Sequence, residues 1–68
     1  MSVATARVWP QADGTPIACA EKRRVLAENE AEVRQVLRDA FEDALLMGVD
    51  EAAMRQILHD AVNELQSF

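Results

Sequence analysis

The sequence contains one cysteine, Cys19, and one histidine, His59, among its 68 residues. A single cysteine cannot form an internal disulfide, and this pair, far apart in sequence, has none of the usual spacings of a metal site. We therefore predict no disulfide, no metal and no cofactor. The core of so short a chain rarely supplies more than about 3–5 kcal/mol, so small folds add a disulfide, a metal or a partner chain. Of these three sources of additional stability, only a partner chain remains.

Long apolar runs are also missing. No window approaches the roughly 20 apolar residues of a membrane span, and the first eleven residues lack the apolar segment of a signal peptide. We therefore expect a cytoplasmic protein without a membrane segment. Twelve acidic and seven basic residues give a net charge of −5. Because phosphate backbones repel a chain of that sign, nucleic acid is disfavoured as a partner.

Both prolines and one of the two glycines lie in residues 1–18, which show no helical periodicity. The pair Asp13-Gly14 is typical of a β-hairpin turn, whereas Pro10 and Pro16 restrict ladder hydrogen bonds. We predict an irregular N-terminal arm over residues 1–18, held against the rest of the chain by Trp9.

Residues 19–68 carry the helical signal. Apolar residues recur at steps of three and four, and they predict helices over 20–47 and 50–66 with a turn at 48–49. Gly48 suits the left-handed position after a helix, and Asp50 is a preferred N-cap. The sequence therefore predicts an all-α hairpin of two antiparallel helices.

The apolar arc of the first predicted helix is wide, about 200° at 100° per residue, against the ~100° stripe of an ordinary surface helix. One partner helix covers only part of such an arc, and the second helix is too short to cover the full length of the first. We therefore predict a homodimer in which two hairpins form a four-helix bundle. The predicted interface residues are Val33, Leu37, Ala40, Phe41, Ala44, Leu46 and Met47.

The segment "ALLMGVDEAAMRQIL", residues 44–58, is similar to the helix-turn-helix pattern of DNA-binding proteins. The resemblance implies that the second helix would face DNA. Two acidic residues, Asp50 and Glu51, oppose that role, and the first helix is longer than this family uses. A DNA-binding regulator is therefore the alternative function. Its DNA-facing positions would be Glu51, Ala52, Arg55 and Gln56.

No pair of residues offers a catalytic acid with a catalytic base, or a nucleophile with a catalytic base, so we do not expect an enzyme. Cys19 lies near a helix start and basic residues, which is compatible either with a reactive thiol or with an ordinary helix start. The main prediction is a small acidic interaction protein, such as an adaptor or a regulatory subunit, with a protein partner. Possible anchors for that partner are Trp9, Lys22, Arg23 and Arg24.

Overall fold

The structure is a computed structural model that describes residues 7–67. Within that range the chain forms two helices and no strand: α1 spans Ala20–Leu46 and α2 spans Glu51–Asn63. The predicted all-α class is confirmed for these residues. The chain divides into two compact units, Met1–Arg34 and Gln35–Phe68, and the division falls inside α1.

The N-terminal loop of the first unit is more regular than the predicted arm. Pro10 and Pro16 form an isolated antiparallel bridge, flanked by the hydrogen bonds Gln11 N–H to Thr15 O (2.7 Å) and Ile17 N–H to Trp9 O (2.8 Å). The two prolines therefore occupy a non-hydrogen-bonded pair, where an antiparallel ladder requires no N–H from either residue.

The turn of this loop is built around Asp13 and Gly14. The Gly14 N–H donates to Gln11 O over 2.9 Å, and Gly14 has a φ of 92°, the left-handed conformation of a three-residue hairpin loop. The Asp13 carboxylate accepts from both the backbone N–H and the hydroxyl of Thr15. These hydrogen bonds lower the pKa of Asp13, the hydroxyl contributing most.

Helix α1 begins at the predicted position and ends one residue before the predicted end. Its C-terminus is a Schellman motif, in which the Val49 N–H donates to Ala44 O and the Gly48 N–H donates to Leu45 O. Gly48 has a φ of 100°, which an L-residue with a Cβ rarely adopts. The predicted role of Gly48 is therefore confirmed.

Helix α2 has the predicted N-cap and a shorter C-terminus. The Asp50 carboxylate accepts from the Ala53 N–H at 2.9 Å, which satisfies one free donor of the first turn. The helix ends at Asn63, three residues before the predicted end, and Glu64 is its C-cap. Leu65, beyond the helix, is 78% exposed, so no packing holds a further turn in place.

The described residues contain no fully buried side chain, polar or apolar. The best-covered positions are only half-buried. In the first unit these are Trp9, Ile17, Leu26, Ala27 and Glu30; in the second they are Ala40, Phe41, Ala44, Met54 and Leu58.

Candidate interaction surfaces

The seven predicted interface residues fall into two groups. Three of them, Ala40, Phe41 and Ala44, are half-buried in the second unit, so the hairpin itself already covers part of their surface. The other four are exposed in increasing order: Leu37 38%, Val33 55%, Met47 83% and Leu46 87%. Val33, Leu46 and Met47 therefore offer more than half of their surface to another chain, whereas Leu37 offers just over a third.

Three further residues of α1 and α2 are more than half exposed, although the prediction of the interface omitted them. Val36 is 66% exposed, Val62 56% and Ile57 54%. Helical periodicity assigned all three to apolar stripes, and we expected α2 to bury its stripe. In the structure the apolar arc of α2 is wider than α1 can cover. The number of apolar positions on α2 was the signal that could have identified this exposed surface.

A groove lies on one side of the second unit, between its part of α1 and helix α2. Its volume is about 360 Å³. The apolar lining comes from both helices, and so does the polar lining, which contains no carboxylate. The lining residues are Leu37, Arg38 and Phe41 of α1, and Arg55, Leu58, His59 and Val62 of α2.

The two arginines of this groove have different surroundings. The guanidinium carbon of Arg55 lies 4.8 Å from the centre of the Phe41 ring, in the range of a cation–π contact, and its Nη2 lies 3.2 Å from Glu51 Oε2. Arg38 donates to the amide oxygen of Gln35 over 3.2 Å and makes no ion pair within the described part of the chain. Its positive charge is therefore the less compensated of the two.

A second groove, in the first unit, contains Trp9. Its volume is about 430 Å³, and the lining residues are Arg7, Trp9, Leu26, Asn29, Glu30 and Val33. Trp9 is half-buried, and the Arg7 guanidinium carbon lies 5.7 Å from the centre of its ring. These contacts place Trp9 against α1, and its function in holding the N-terminal segment there stays a prediction.

Glu30 of α1 forms ion pairs with Arg7 of the N-terminal segment and with Arg34. Arg7 donates from Nε to Glu30 Oε1 and from Nη2 to Glu30 Oε2, both over 2.7 Å. Arg34 donates from Nε to the second oxygen over 2.8 Å. The hydrogen bonds from Arg7 first, and then from Arg34, lower the pKa of Glu30. The Glu30–Arg34 contact is an i,i+4 pair in the favourable order.

The basic cluster at the start of α1 is partly neutralised. Arg24 pairs with Glu28 at 2.9 Å and with Glu21, and these bonds raise its pKa, with Glu21 contributing most. Lys22 and Arg23 are exposed and form no ion pair among residues 7–67. Of the predicted anchors in this cluster, these two therefore keep their charge available.

Cys19 is exposed and directly precedes α1. The backbone N–H groups of Lys22 first, and then of Glu21, lower its pKa, and the positive charges of Lys22 and Arg23 add to this effect. These are the surroundings that stabilise a thiolate. His59 lines the groove of the second unit, whereas Cys19 belongs to the first unit.

Neither a metal centre nor a membrane helix is present in the part of the chain that the structure describes. No three His, Cys, Asp or Glu side chains of residues 7–67 are grouped so that they could hold a metal ion. Neither α1 nor α2 is long and apolar enough to cross a membrane. Comparison with protein-family models, with curated proteins and with solved structures found no match to this chain.

Proposed function

We propose that the protein is a small acidic interaction module, an adaptor or a regulatory subunit, that works as a homodimer and has no catalytic activity of its own. One observation carries the proposal. Large apolar side chains are exposed along both helices, while no residue in the described range is buried. Since burial of apolar surface is the main favourable term in folding, a second chain that covers these side chains would supply what the single chain lacks.

The subunit seam of this homodimer is proposed to run along one side of α1. Val36, Ala40 and Met47 follow one another at spacings of four and seven residues, which places them on one stripe of a helix. Val36 and Met47 are 66% and 83% exposed. A four-helix bundle with left-handed packing uses stripes of this kind. Val33 precedes Val36 by three residues and extends the same spacing.

Sedimentation equilibrium of the purified protein tests the homodimer, and two valine variants make the test specific to the seam. Val36 and Val62 are both exposed helical valines, but Val62 lies in the groove and not on the seam. We expect wild type and Val62→Glu to sediment as dimers and Val36→Glu as a monomer. A monodisperse wild-type monomer at high concentration would contradict the proposal.

The environment of Arg55 favours an interaction module over the DNA-binding alternative. A residue that reads bases must present its guanidinium to the groove of DNA, whereas Arg55 already contacts Glu51 and the Phe41 ring. Electrophoretic mobility of a duplex DNA fragment at low salt is the direct test. We expect no shift; binding that weakens steeply with added salt would support the DNA-binding alternative instead.

A further inference from the structure

We propose that the groove between α1 and α2 in the second unit binds an acidic amphipathic helix of a partner protein. The inference deepens the proposed function and rests on it, because it assigns a partner class to one surface of the interaction module. The floor of the groove is apolar: Leu37 and Phe41 come from α1, and Leu58 and Val62 from α2. On each helix these residues are four apart, so they stand one above the other along the groove.

The walls of the groove determine the charge of the partner. Arg38 stands on the α1 wall, and Arg55 and His59 on the α2 wall. The unit that contains them is otherwise acidic, yet no carboxylate lines the groove. A helix lying between the walls would place one flank against each arginine. Carboxylates on the flank beside Arg38 would form charge-assisted, bidentate hydrogen bonds with its guanidinium group, which has no ion pair among the described residues, whereas Arg55 already pairs with Glu51.

The exposure of the floor indicates a helix and not a small molecule. A small-molecule site buries most of its ligand, whereas Leu37 and Val62 at this groove are 38% and 56% exposed. An amphipathic helix laid on an open groove covers such side chains with anchors at i, i+3 or i+4, and i+7. Leu37 and Phe41 on α1 are four residues apart, and so are Leu58 and Val62 on α2. This spacing matches the spacing of the anchors on a helical partner.

The same charges argue against a second copy of this chain as the occupant. A two-fold dimer is isologous, so this surface would face itself across the axis. The unpaired charge of Arg38 in one subunit would then lie at the same interface as that of Arg38 in the other, and the groove has no lining carboxylate to separate them. Like charges brought together at an interface are unfavourable. The proposed seam at Val36 and Met47 leaves the groove available.

Two labelled peptides test the charge of the occupant. Each is a helical peptide of about fourteen residues with leucines at i, i+4 and i+7, flanked either by glutamates or, in the second peptide, by lysines. Fluorescence anisotropy with the full-length protein at about 0.15 M salt keeps the remote acidic charges screened. We expect the glutamate peptide to bind at least about tenfold more tightly than the lysine peptide.

Arg38→Glu is the decisive variant, because among residues 7–67 the Arg38 side chain bonds only to Gln35, so its replacement should leave the helix packing intact. It should weaken the glutamate peptide by at least about tenfold and strengthen the lysine peptide. The double variant Ala12→Glu/Ala31→Glu makes the same change of net charge at two exposed sites outside the groove, so it should leave both affinities unchanged. Equal losses in the two variants would show a nonspecific charge effect and overturn the proposal.

Sedimentation of the same samples separates this inference from the homodimer. A wild-type monomer that still binds the glutamate peptide, with binding lost in Arg38→Glu, supports the groove while the homodimer fails. An Arg38→Glu protein that changes from dimer to monomer would show that the groove is the subunit seam, and would overturn the inference. Preferential binding of the lysine peptide, or displacement of the glutamate peptide by a duplex DNA fragment, would overturn it as well.

Discussion

At the scale of single residues, Glu30 accepts the side-chain hydrogen bonds that join the residues farthest apart in sequence within the first unit. It accepts from Arg7 and Arg34, and Arg7 lies over the ring of Trp9. Arg7 and Glu30 are 23 residues apart in sequence, so periodicity within α1 could not predict their pairing. The Glu30–Arg34 pair was predictable, because both residues lie on one helix at i,i+4 spacing.

Lowering the pH should release the N-terminal loop from α1. The pKa of Glu30 is lowered below its ordinary value of 4.5, so its contribution to docking is complete above that value and is lost as the pH falls through the lowered pKa. Trp9 is the only tryptophan, and its fluorescence should shift to longer wavelength in this acid range as the ring becomes hydrated.

Two glutamate variants test whether protonation of Glu30 causes this shift in Trp9 fluorescence. Glu30→Gln should show the shifted emission already at neutral pH and should lack the acid transition. Glu28→Gln removes a carboxylate that pairs with Arg24 and lies outside the Trp9 groove, so its emission should follow the wild-type profile. An unchanged emission maximum in Glu30→Gln would show that Arg7 and Glu30 do not hold Trp9 in place.

At the scale of elements, the bend between the helices follows directly from the chemistry of its residues. Gly48 adopts the left-handed conformation after α1, and Asp50 caps α2. Each role depends on one residue type in a local backbone context, and both were predicted from the sequence. The C-terminus of α2 was not, because its position depends on whether Leu65 finds packing partners.

Replacing Asp50 tests the cap. Asp50→Ala should lower the free energy of unfolding by about 1 kcal/mol, because the Ala53 N–H loses its acceptor. Asp50→Asn removes the same negative charge but retains a side-chain oxygen, so it should cost only a few tenths of that amount. Urea unfolding followed by circular dichroism measures both, with an unchanged m-value. Equal losses in the two variants would point to charge and not to the cap.

The groove could be predicted only in part. Phe41, Leu58 and Val62 follow the helical apolar pattern, which is visible in the sequence. The pattern also assigns Arg38 to the polar face of α1, away from any apolar site. Its position at the edge of the groove depends on how far around α1 the second helix packs. Periodicity finds the two stripes, but it does not fix the edge at which their side chains remain open.

At the scale of the whole molecule, the hydrophobic content of the sequence is high and the burial of side chains is low. Half of the residues are hydrophobic, yet none in the described range is buried. A chain this short buries only about 60% of the surface that it exposes when unfolded, so a marginal single subunit is the physical expectation. The net charge of −5 keeps copies apart at long range, so any association must come from short-range apolar contact.

The proposed dimer therefore predicts that stability depends on protein concentration. If folding and association are coupled, each tenfold rise in concentration should stabilise the folded dimer by about 1.4 kcal/mol. The urea midpoint of the wild-type protein should rise accordingly, and that of Val62→Glu should rise in parallel because the seam is intact. Val36→Glu should unfold at one midpoint across the series, since its seam residue is now charged. A wild-type midpoint that stays constant over a hundredfold range would mean that one chain folds alone, and that its exposed apolar surface serves partners other than its own copy.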